Sequence, residues 1–233
     1  ATLFYAYLAA LFLFLISHWL LFSNRTLGFR RLFVLIFLIL GLNSYWILPN
    51  VYSVIKQGPT IENAQINRLF SPEAFLRNQS YGDWKNLLIQ KNFLFDWRSF
   101  DFEKNSYSDF LEAWNSHLKS PYVLIIGYSL TCIAILGLIL VLLKRNKIGL
   151  ALIPVTLFSL FFLINSNPPT ASIYDFLYKN MSIFREGFRM PFTKFSIIFI
   201  FCTSFYLGYF FNLLFKILKH VLRFGLEFVV VLG

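Results

Sequence analysis

Long runs of apolar residues without a charged side chain constrain this chain more than any other feature. The hydrocarbon core of a bilayer is about 30 Å thick, so a helix crosses it with about 17 to 25 apolar residues. Runs of this kind lie at 1–22, 32–48, 122–143, 148–164 and 195–215. Hydrocarbon offers backbone amides no outside hydrogen-bonding partner, so each run is predicted to be an α-helix. Because 58% of the 233 residues are apolar, the chain is predicted to be a polytopic membrane protein.

The order of these runs predicts the domain organisation. The chain opens inside its first span without an initiating Met, and a further apolar run that starts at Val221 reaches the last residue. We therefore expect a piece of a longer protein. The predicted fold class is an all-α polytopic membrane protein with about five complete transmembrane helices, a truncated sixth and a partly helical extracytoplasmic loop. The predicted parts are two transmembrane helices at 1–48, a cap loop at 49–120, and transmembrane helices at 121–233 with a short extracytoplasmic loop at 165–194.

Charge on the short connections predicts the orientation. The stretches "SNRTLGFRR", "KRNK" and "KILKHVLR" carry basic residues and no acidic residue. Positive charge accumulates on cytoplasmic loops, which places residues 49–120 and 165–194 together on the extracytoplasmic side. The long loop balances eight Lys and Arg against eight Asp and Glu. The net charge of +10 therefore reflects membrane topology, and no nucleic-acid partner is expected.

The two outer loops contain short predicted helices. "SPEAFLRN" has Ser and Pro in the order that predicts a helix start at Ser71, and "SYSDFLEAWNSHLK" suits an amphipathic helix. "ASIYDFLYKN" predicts a short helix in the membrane interface. "NFLFDWRSFDFEK" alternates too imperfectly to predict a strand. Its three acidic residues are interspersed with basic ones, so a self-paired surface is favoured over a metal site.

A group of basic residues lies directly before the fifth span, in "NMSIFREGFRMPFTKF". If this segment is helical, Arg185 and Arg189 share one face, with Phe184 and Phe188 on the neighbouring face as an aromatic rim. The proline at 191 then ends that helix, and the lysine at 194 opens the next one. Arginine binds phosphate through two hydrogen bonds and lysine adds a compact charge, both more strongly where lipid excludes water. The segment therefore predicts a phosphate or pyrophosphate site at the membrane boundary.

A simpler interpretation of this basic group stays open. Long basic side chains at helix ends often extend to the lipid headgroups as interfacial anchors. That role accounts for Lys194 alone. It accounts less well for a basic cluster on the outer face accompanied by Glu186, whose carboxylate can orient one guanidinium.

Several stretches resemble one family. "FRMPFTKF" resembles the F-R-x-P-F-x-K-F signature of large bacterial membrane proteins similar to YfhO and to the mycobacterial arabinofuranosyltransferase AftD, which belong to the GT-C class of glycosyltransferases. "LNSYWILPN" resembles their N-x-x-W-x-x-P turn, and "NPPTASIYDFLYKN" resembles their N-x-P-x-x-x-I-Y-x-x-L segment. Together with "NFLFDWRSF", these stretches span residues 42–210 and resemble the C-terminal part of the family's membrane domain.

The resemblance implies a membrane enzyme of the bacterial cell envelope. It would transfer a sugar, outside the cytoplasm, from a polyprenyl-phosphate carrier to a glycan or glycolipid acceptor, without a metal or other cofactor. The catalytic carboxylate of the class lies in the first outer loop, which is expected outside this chain. The implied phosphate-binding residues are Arg189 and Lys194 with Arg185 as an addition, supported by Glu186, Pro191 and Tyr174.

Two other functions stay open. A transporter or flippase of a lipid-linked saccharide would also need a cationic patch, but it would usually show polar or interrupted spans near the membrane midplane. A non-catalytic subunit, associated with another membrane chain, would use its arginines to hold anionic lipid.

Overall fold

The computed structural model describes the backbone of residues 2–22, 25–92, 96–109 and 111–232, and their side chains except at 2, 22, 25–29 and 220–232. This part of the chain is mostly helical. The helices are α1 (Thr2–Phe22), α2 (Arg25–Asn63), α3 (Gln65–Tyr81), α4 (Trp84–Leu88), α5 (Glu112–Lys119), α6 (Pro121–Leu143), α7 (Lys147–Ile164), α8 (Ala171–Asn180), α9 (Ser182–Gly187) and α10 (Phe192–Leu232). The strands are β1 (Arg98–Asp101) and β2 (Ser106–Asp109). Five helices of the described chain, α1, α2, α6, α7 and α10, are long and apolar enough to cross a membrane.

Four of the apolar helices form one bundle. α10 packs against α6 and α7, and α1 packs against α7 and α10. The core of this bundle includes Val141, Leu152, Val155, Phe162, Phe195, Ile198, Cys202 and Tyr206. α2 contacts α1 and leaves most of its large apolar side chains exposed, as expected for a helix that faces lipid.

A glycine sets the distance between α6 and α10. A Cβ atom on Gly137 would lie 2.0 Å from the backbone oxygen of Tyr206. The two helices therefore meet backbone to backbone, as small residues allow in membrane bundles. The hydroxyl of Tyr206 lies 3.2 Å from Oγ1 of Thr156 on α7, so the same residue also links α10 to α7 through a polar contact.

The second helix is longer than the sequence predicts. The predicted span ends at residue 48, whereas α2 continues to Asn63 with Pro49 and Pro59 inside it. A proline removes one helical hydrogen bond and crowds the preceding turn, but surrounding contacts can carry a helix through it. Here the Tyr5 hydroxyl donates to Asn50 Oδ1 at 2.9 Å. The helix therefore extends well past the predicted start of the cap loop.

The last helix also differs from its prediction. The sequence predicts a basic connection at "KILKHVLR" and a separate sixth span from Val221, whereas α10 is a single helix from Phe192 to Leu232. The connection contains neither Gly nor Pro, and its Lys, Leu, Ile and Arg residues favour helix. Nothing local therefore ends the helix there.

The remainder of the 49–120 segment lies at one end of the bundle. Ser71, the predicted helix start, lies inside α3. β1 and β2 form an antiparallel hairpin with Arg98 opposite Asp109, where the sequence predicts no strand. α5 covers the second half of the predicted amphipathic helix, whose Phe110 lies outside the described residues, as do residues 93–95 of the "NFLFDWRSF" stretch.

Two acidic residues of this segment, Asp96 and Asp101, are paired with lysines. The Lys91 Nζ atom lies 3.4 Å from Asp96 Oδ2, and the Lys104 Nζ atom lies 3.7 Å from Asp101 Oδ2. Backbone N–H groups of residues 104 and 103 also donate to Asp101 and lower the pKa of its carboxyl. Among the described residues, no group of three His, Cys, Asp or Glu side chains is arranged to hold a metal ion.

Candidate functional site

Each arginine of the basic segment follows a phenylalanine that packs into the bundle. The ring centroids of Phe184 and Phe188 lie 5.7 Å and 4.6 Å from that of Phe162 on α7. Phe162 in turn stacks on Phe195 of α10 at 3.9 Å. The sequence predicts an aromatic rim here, whereas the structure packs these rings against the core of the bundle. They hold the backbone of 184–188 in place and leave the arginines beside them directed toward the 49–120 segment.

The two arginines meet at one carboxylate. The sequence predicts them four residues apart on a single helix, but α9 ends at Gly187, so Arg189 lies beyond it. Their side chains converge nevertheless. Arg185 Nε lies 3.3 Å from Glu186 Oε1, and Arg189 Nη2 lies 3.8 Å from Glu186 Oε2. Glu186 thus bridges both guanidinium groups, which goes beyond the predicted orientation of one.

A second carboxylate comes from the end of α2. Glu62 forms an ion pair with Nη2 of Arg185, although the two residues are 123 positions apart in the chain. We call Glu62, Arg185, Glu186 and Arg189 the arginine cluster. The sequence does not predict the participation of Glu62. The available signal was an acidic residue soon after an apolar span, on the same predicted side of the membrane as the two arginines.

α3 supports the arginine cluster through side chains that the sequence also does not predict. Asn67 Nδ2 donates to Glu186 Oε2 at 2.7 Å, and Asn67 Oδ1 accepts a hydrogen bond from Arg189. The Ser71 hydroxyl lies 3.4 Å from Glu186 Oε2, so it contacts this carboxylate instead of capping a helix. Glu186 is therefore held by four different side chains.

Lys194 lies at the start of α10, as predicted, but it is buried. Only 9% of its surface is exposed, and its ammonium donates to the Met190 carbonyl oxygen at 3.0 Å. No ion pair joins it to a carboxylate of the described chain, and it lies within electrostatic reach of Arg189. Pro191, beside it, is fully buried. Lys194 is therefore a buried basic side chain near Arg189.

A cleft of about 620 Å³ opens beside the arginine cluster. We call it the boundary cleft. Its polar side includes Glu62, Arg185 and Glu186, and its apolar side includes Phe75 and Tyr178, whose ring centroids lie 4.4 Å apart. Burial raises the pKa of the Tyr178 phenol, so its hydroxyl stays neutral and able to donate. The volume is in the range of small-molecule sites, about 300 to 1,000 Å³.

Tyr174, predicted as a supporting residue, does not line the boundary cleft. It is 3% exposed, and its ring packs edge-on against Phe184 with 5.2 Å between centroids. Burial raises the pKa of its phenol well above the ordinary value. Its contact with Phe184 supports the backbone that carries Arg185, so its observed contribution is packing.

Two asparagines fix the backbone of Arg189. Asn78 Nδ2 donates to the Arg189 carbonyl oxygen at 2.6 Å, and Asn165 Nδ2 donates to the Asn78 carbonyl oxygen at 2.9 Å. Asn165 directly follows α7 and has a φ of 48° with a ψ of −125°, a positive-φ conformation that is uncommon for residues other than glycine. These contacts connect the end of α7, α3 and the arginine cluster.

We expect Asn165→Ala to lower the free energy of unfolding by about 2 kcal/mol, because it leaves buried carbonyl groups unpaired and places alanine at positive φ. Chemical unfolding of the purified protein in one detergent measures this. Asn180→Ala is the matched control, since Asn180 makes one exposed hydrogen bond to the Phe176 carbonyl. Equal losses in both variants would contradict the proposed role of Asn165.

Comparison of the chain with protein-family models, with curated proteins and with solved structures finds no match in any of the three. The resemblance to GT-C glycosyltransferases therefore stays a prediction from the quoted motifs.

Proposed function

We propose that the protein transfers a sugar from a polyprenyl-phosphate donor to a cell-envelope glycan or glycolipid on the extracytoplasmic side of the bacterial plasma membrane, and that this chain binds the carrier phosphate. The observation that carries the proposal is the convergence of Arg185 and Arg189 on one carboxylate, beside an open cleft and directly before a helix long enough to cross a membrane.

The Glu186 carboxylate supports this proposal because it occupies a position where two guanidinium groups meet. An oxyanion at such a point accepts charge-assisted hydrogen bonds from both arginines, and a phosphate offers more acceptor oxygens than a carboxylate. α10 begins three residues after Arg189. A phosphate on a membrane lipid lies at this depth, between the hydrocarbon and the aqueous phase.

The arginines also suit the chemistry of the proposed transfer. The phosphate that leaves the sugar gains negative charge in the transition state, and fixed cations stabilise that charge. The reaction further needs a base for the acceptor hydroxyl. Glu62 and Glu186 both accept hydrogen bonds from arginines, so we assign them to charge balance and place the base outside this chain.

One observation favours a second candidate function. Each arginine already has a glutamate partner, and these ion pairs join α2 to the segment before α10. A non-catalytic subunit that binds anionic lipid, alone or with another membrane chain, would need no more than this. It differs from the first proposal in lacking sugar transfer.

The test uses the full-length protein in lipid nanodiscs with a polyprenyl-phosphate sugar. We expect Arg189→Ala to weaken donor binding about tenfold, because the guanidinium supplies a charge-assisted contact, and to reduce sugar transfer. Donor binding by Arg189→Lys should lie between that of the unmodified protein and that of Arg189→Ala, since lysine keeps the charge but lacks the planar guanidinium. Arg77→Ala is the matched control, because Arg77 pairs with Glu73 on the surface of α3 and does not belong to the arginine cluster.

Unchanged donor binding in Arg189→Ala would contradict the phosphate assignment. Donor binding that depends on Arg189, without transfer by the unmodified protein to any envelope acceptor, would select the second candidate.

A further inference from the structure

Charge balance in the arginine cluster restricts the kind of phosphate that fits it. Arg185 and Arg189 supply two positive charges, and Glu62 and Glu186 supply two negative charges, so the cluster is balanced before a phosphate enters. Arg68 also lines the boundary cleft, but it is exposed and hydrogen-bonded to Asn63, so solvent screens most of its charge.

The two glutamates of the cluster are held differently. Glu186 accepts hydrogen bonds from Arg185, Asn67 and Ser71 and forms an ion pair with Arg189. Within the described chain, the carboxylate of Glu62 is contacted through one oxygen by Arg185 alone. Its side chain is 33% exposed, against 21% for Glu186, and it lines the boundary cleft. Glu62 is therefore the more exposed and less firmly held of the two carboxylates that line the boundary cleft.

We propose that Glu62 makes the site selective for a phosphate with a single negative charge, a phosphodiester, over a phosphomonoester. A phosphomonoester carries about −1.5 to −2 at neutral pH, and the excess charge would lie within a few ångströms of the Glu62 carboxylate. Like charges at such distances repel strongly where water is partly excluded. This inference rests on the proposed function and adds to it the residue that selects the phosphodiester donor.

In the proposed reaction, this selectivity would distinguish the donor from the spent carrier. A lipid-phosphate sugar is a phosphodiester. Transfer breaks the bond between the anomeric carbon and the phosphate oxygen, and forms a bond from that carbon to the acceptor oxygen, whose proton goes to the base. The phosphate oxygen keeps the electron pair, so the spent carrier is a phosphomonoester with additional negative charge. Glu62 thus favours the donor and disfavours the spent carrier, which promotes release of the carrier.

The experiment compares two probes that differ by one ionisable oxygen, farnesyl phosphate and farnesyl methyl phosphate, for binding to the full-length protein in nanodiscs of uncharged lipid. The measured quantity is the ratio of their dissociation constants at about pH 8, where the monoester is a dianion. We expect the unmodified protein to prefer the diester, and Glu62→Gln to shift the ratio about tenfold toward the monoester.

Two further variants isolate the charge of Glu62. Glu62→Asp keeps the charge and should keep the preference. Glu73→Gln is the matched control, because it removes the same charge from an exposed α3 ion pair and should leave the ratio unchanged. If the Glu62–Arg185 contact were merely structural, Glu62→Gln would weaken the binding of both probes equally. The ratio of dissociation constants would then be unchanged, which would overturn the inference and leave the proposed function standing. Failure of both probes to bind, or binding insensitive to Arg189→Ala, would overturn the proposed function and this inference with it.

Discussion

Gly137→Ala is expected to lower the free energy of unfolding by about 3 kcal/mol, at the upper end of what overpacking of a well-packed interior costs. The new Cβ atom would lie 2.0 Å from the Tyr206 carbonyl oxygen and 2.7 Å from its carbonyl carbon. Both atoms belong to backbone, so no side-chain rotation relieves the clash. α6 and α10 must move apart, which opens the core around Tyr206.

Thermal or chemical unfolding of the purified protein in one detergent measures this loss. Gly208→Ala is the matched control, because Gly208 lies on α10 and a Cβ there meets nothing within 4 Å. The free energy of unfolding of this control should rise by a few tenths of a kcal/mol or more, since alanine stabilises a helix by about 0.5 to 1 kcal/mol relative to glycine. Similar stability in both variants would show that α6 and α10 do not meet at Gly137.

Glu186→Ala is expected to cost about 3 kcal/mol of unfolding free energy. Removing one partner of a largely buried ion pair leaves an uncompensated charge, which typically costs about 3 to 5 kcal/mol. Glu186 faces two guanidinium groups and is 21% exposed, so we take the lower end of that range. The change also leaves Asn67 Nδ2 without its acceptor.

Unfolding of Glu186→Ala is compared with that of Glu73→Ala under the same conditions. Glu73 pairs with Arg77 on the surface of α3 and is 54% exposed, and such pairs contribute about 0 to 1 kcal/mol. If Glu186→Ala lost no more unfolding free energy than this control, solvent and not Glu186 would be what stabilises the charges of the two arginines.

The sequence predicts the existence of the apolar helices because their signal is local. Length without charge is enough to identify a helix that can cross a membrane, and the described residues of all five predicted spans lie within such helices. The short helix α8 is predicted for a similar reason, from apolar residues at helical spacing. The extents of α2 and α10 are predicted less well, because contacts with α1 carry α2 past Pro49 and no helix-breaking residue interrupts α10 at its basic stretch.

The candidate site is predicted only in part. The basic residues themselves are visible in the sequence, and the structure brings Arg185 and Arg189 together, although not on one helix. Their partners are not visible, because Glu62 on α2 and Asn67 on α3 lie more than a hundred positions earlier in the chain. Such pairing depends on how α2 and α3 pack, and no short sequence pattern encodes that. Membrane orientation and sugar transfer stay predictions.

The manner in which α2 is attached gives it the properties of a lever. Contacts with α1 hold it near Trp46 and Asn50, and these contacts act as a fulcrum. Glu62 lies 12 residues beyond that fulcrum and Arg30 lies 20 residues before it, or about 18 Å and 30 Å along a helix. A small displacement of Glu62 about this fulcrum would therefore be magnified at Arg30, because that arm of the helix is the longer one.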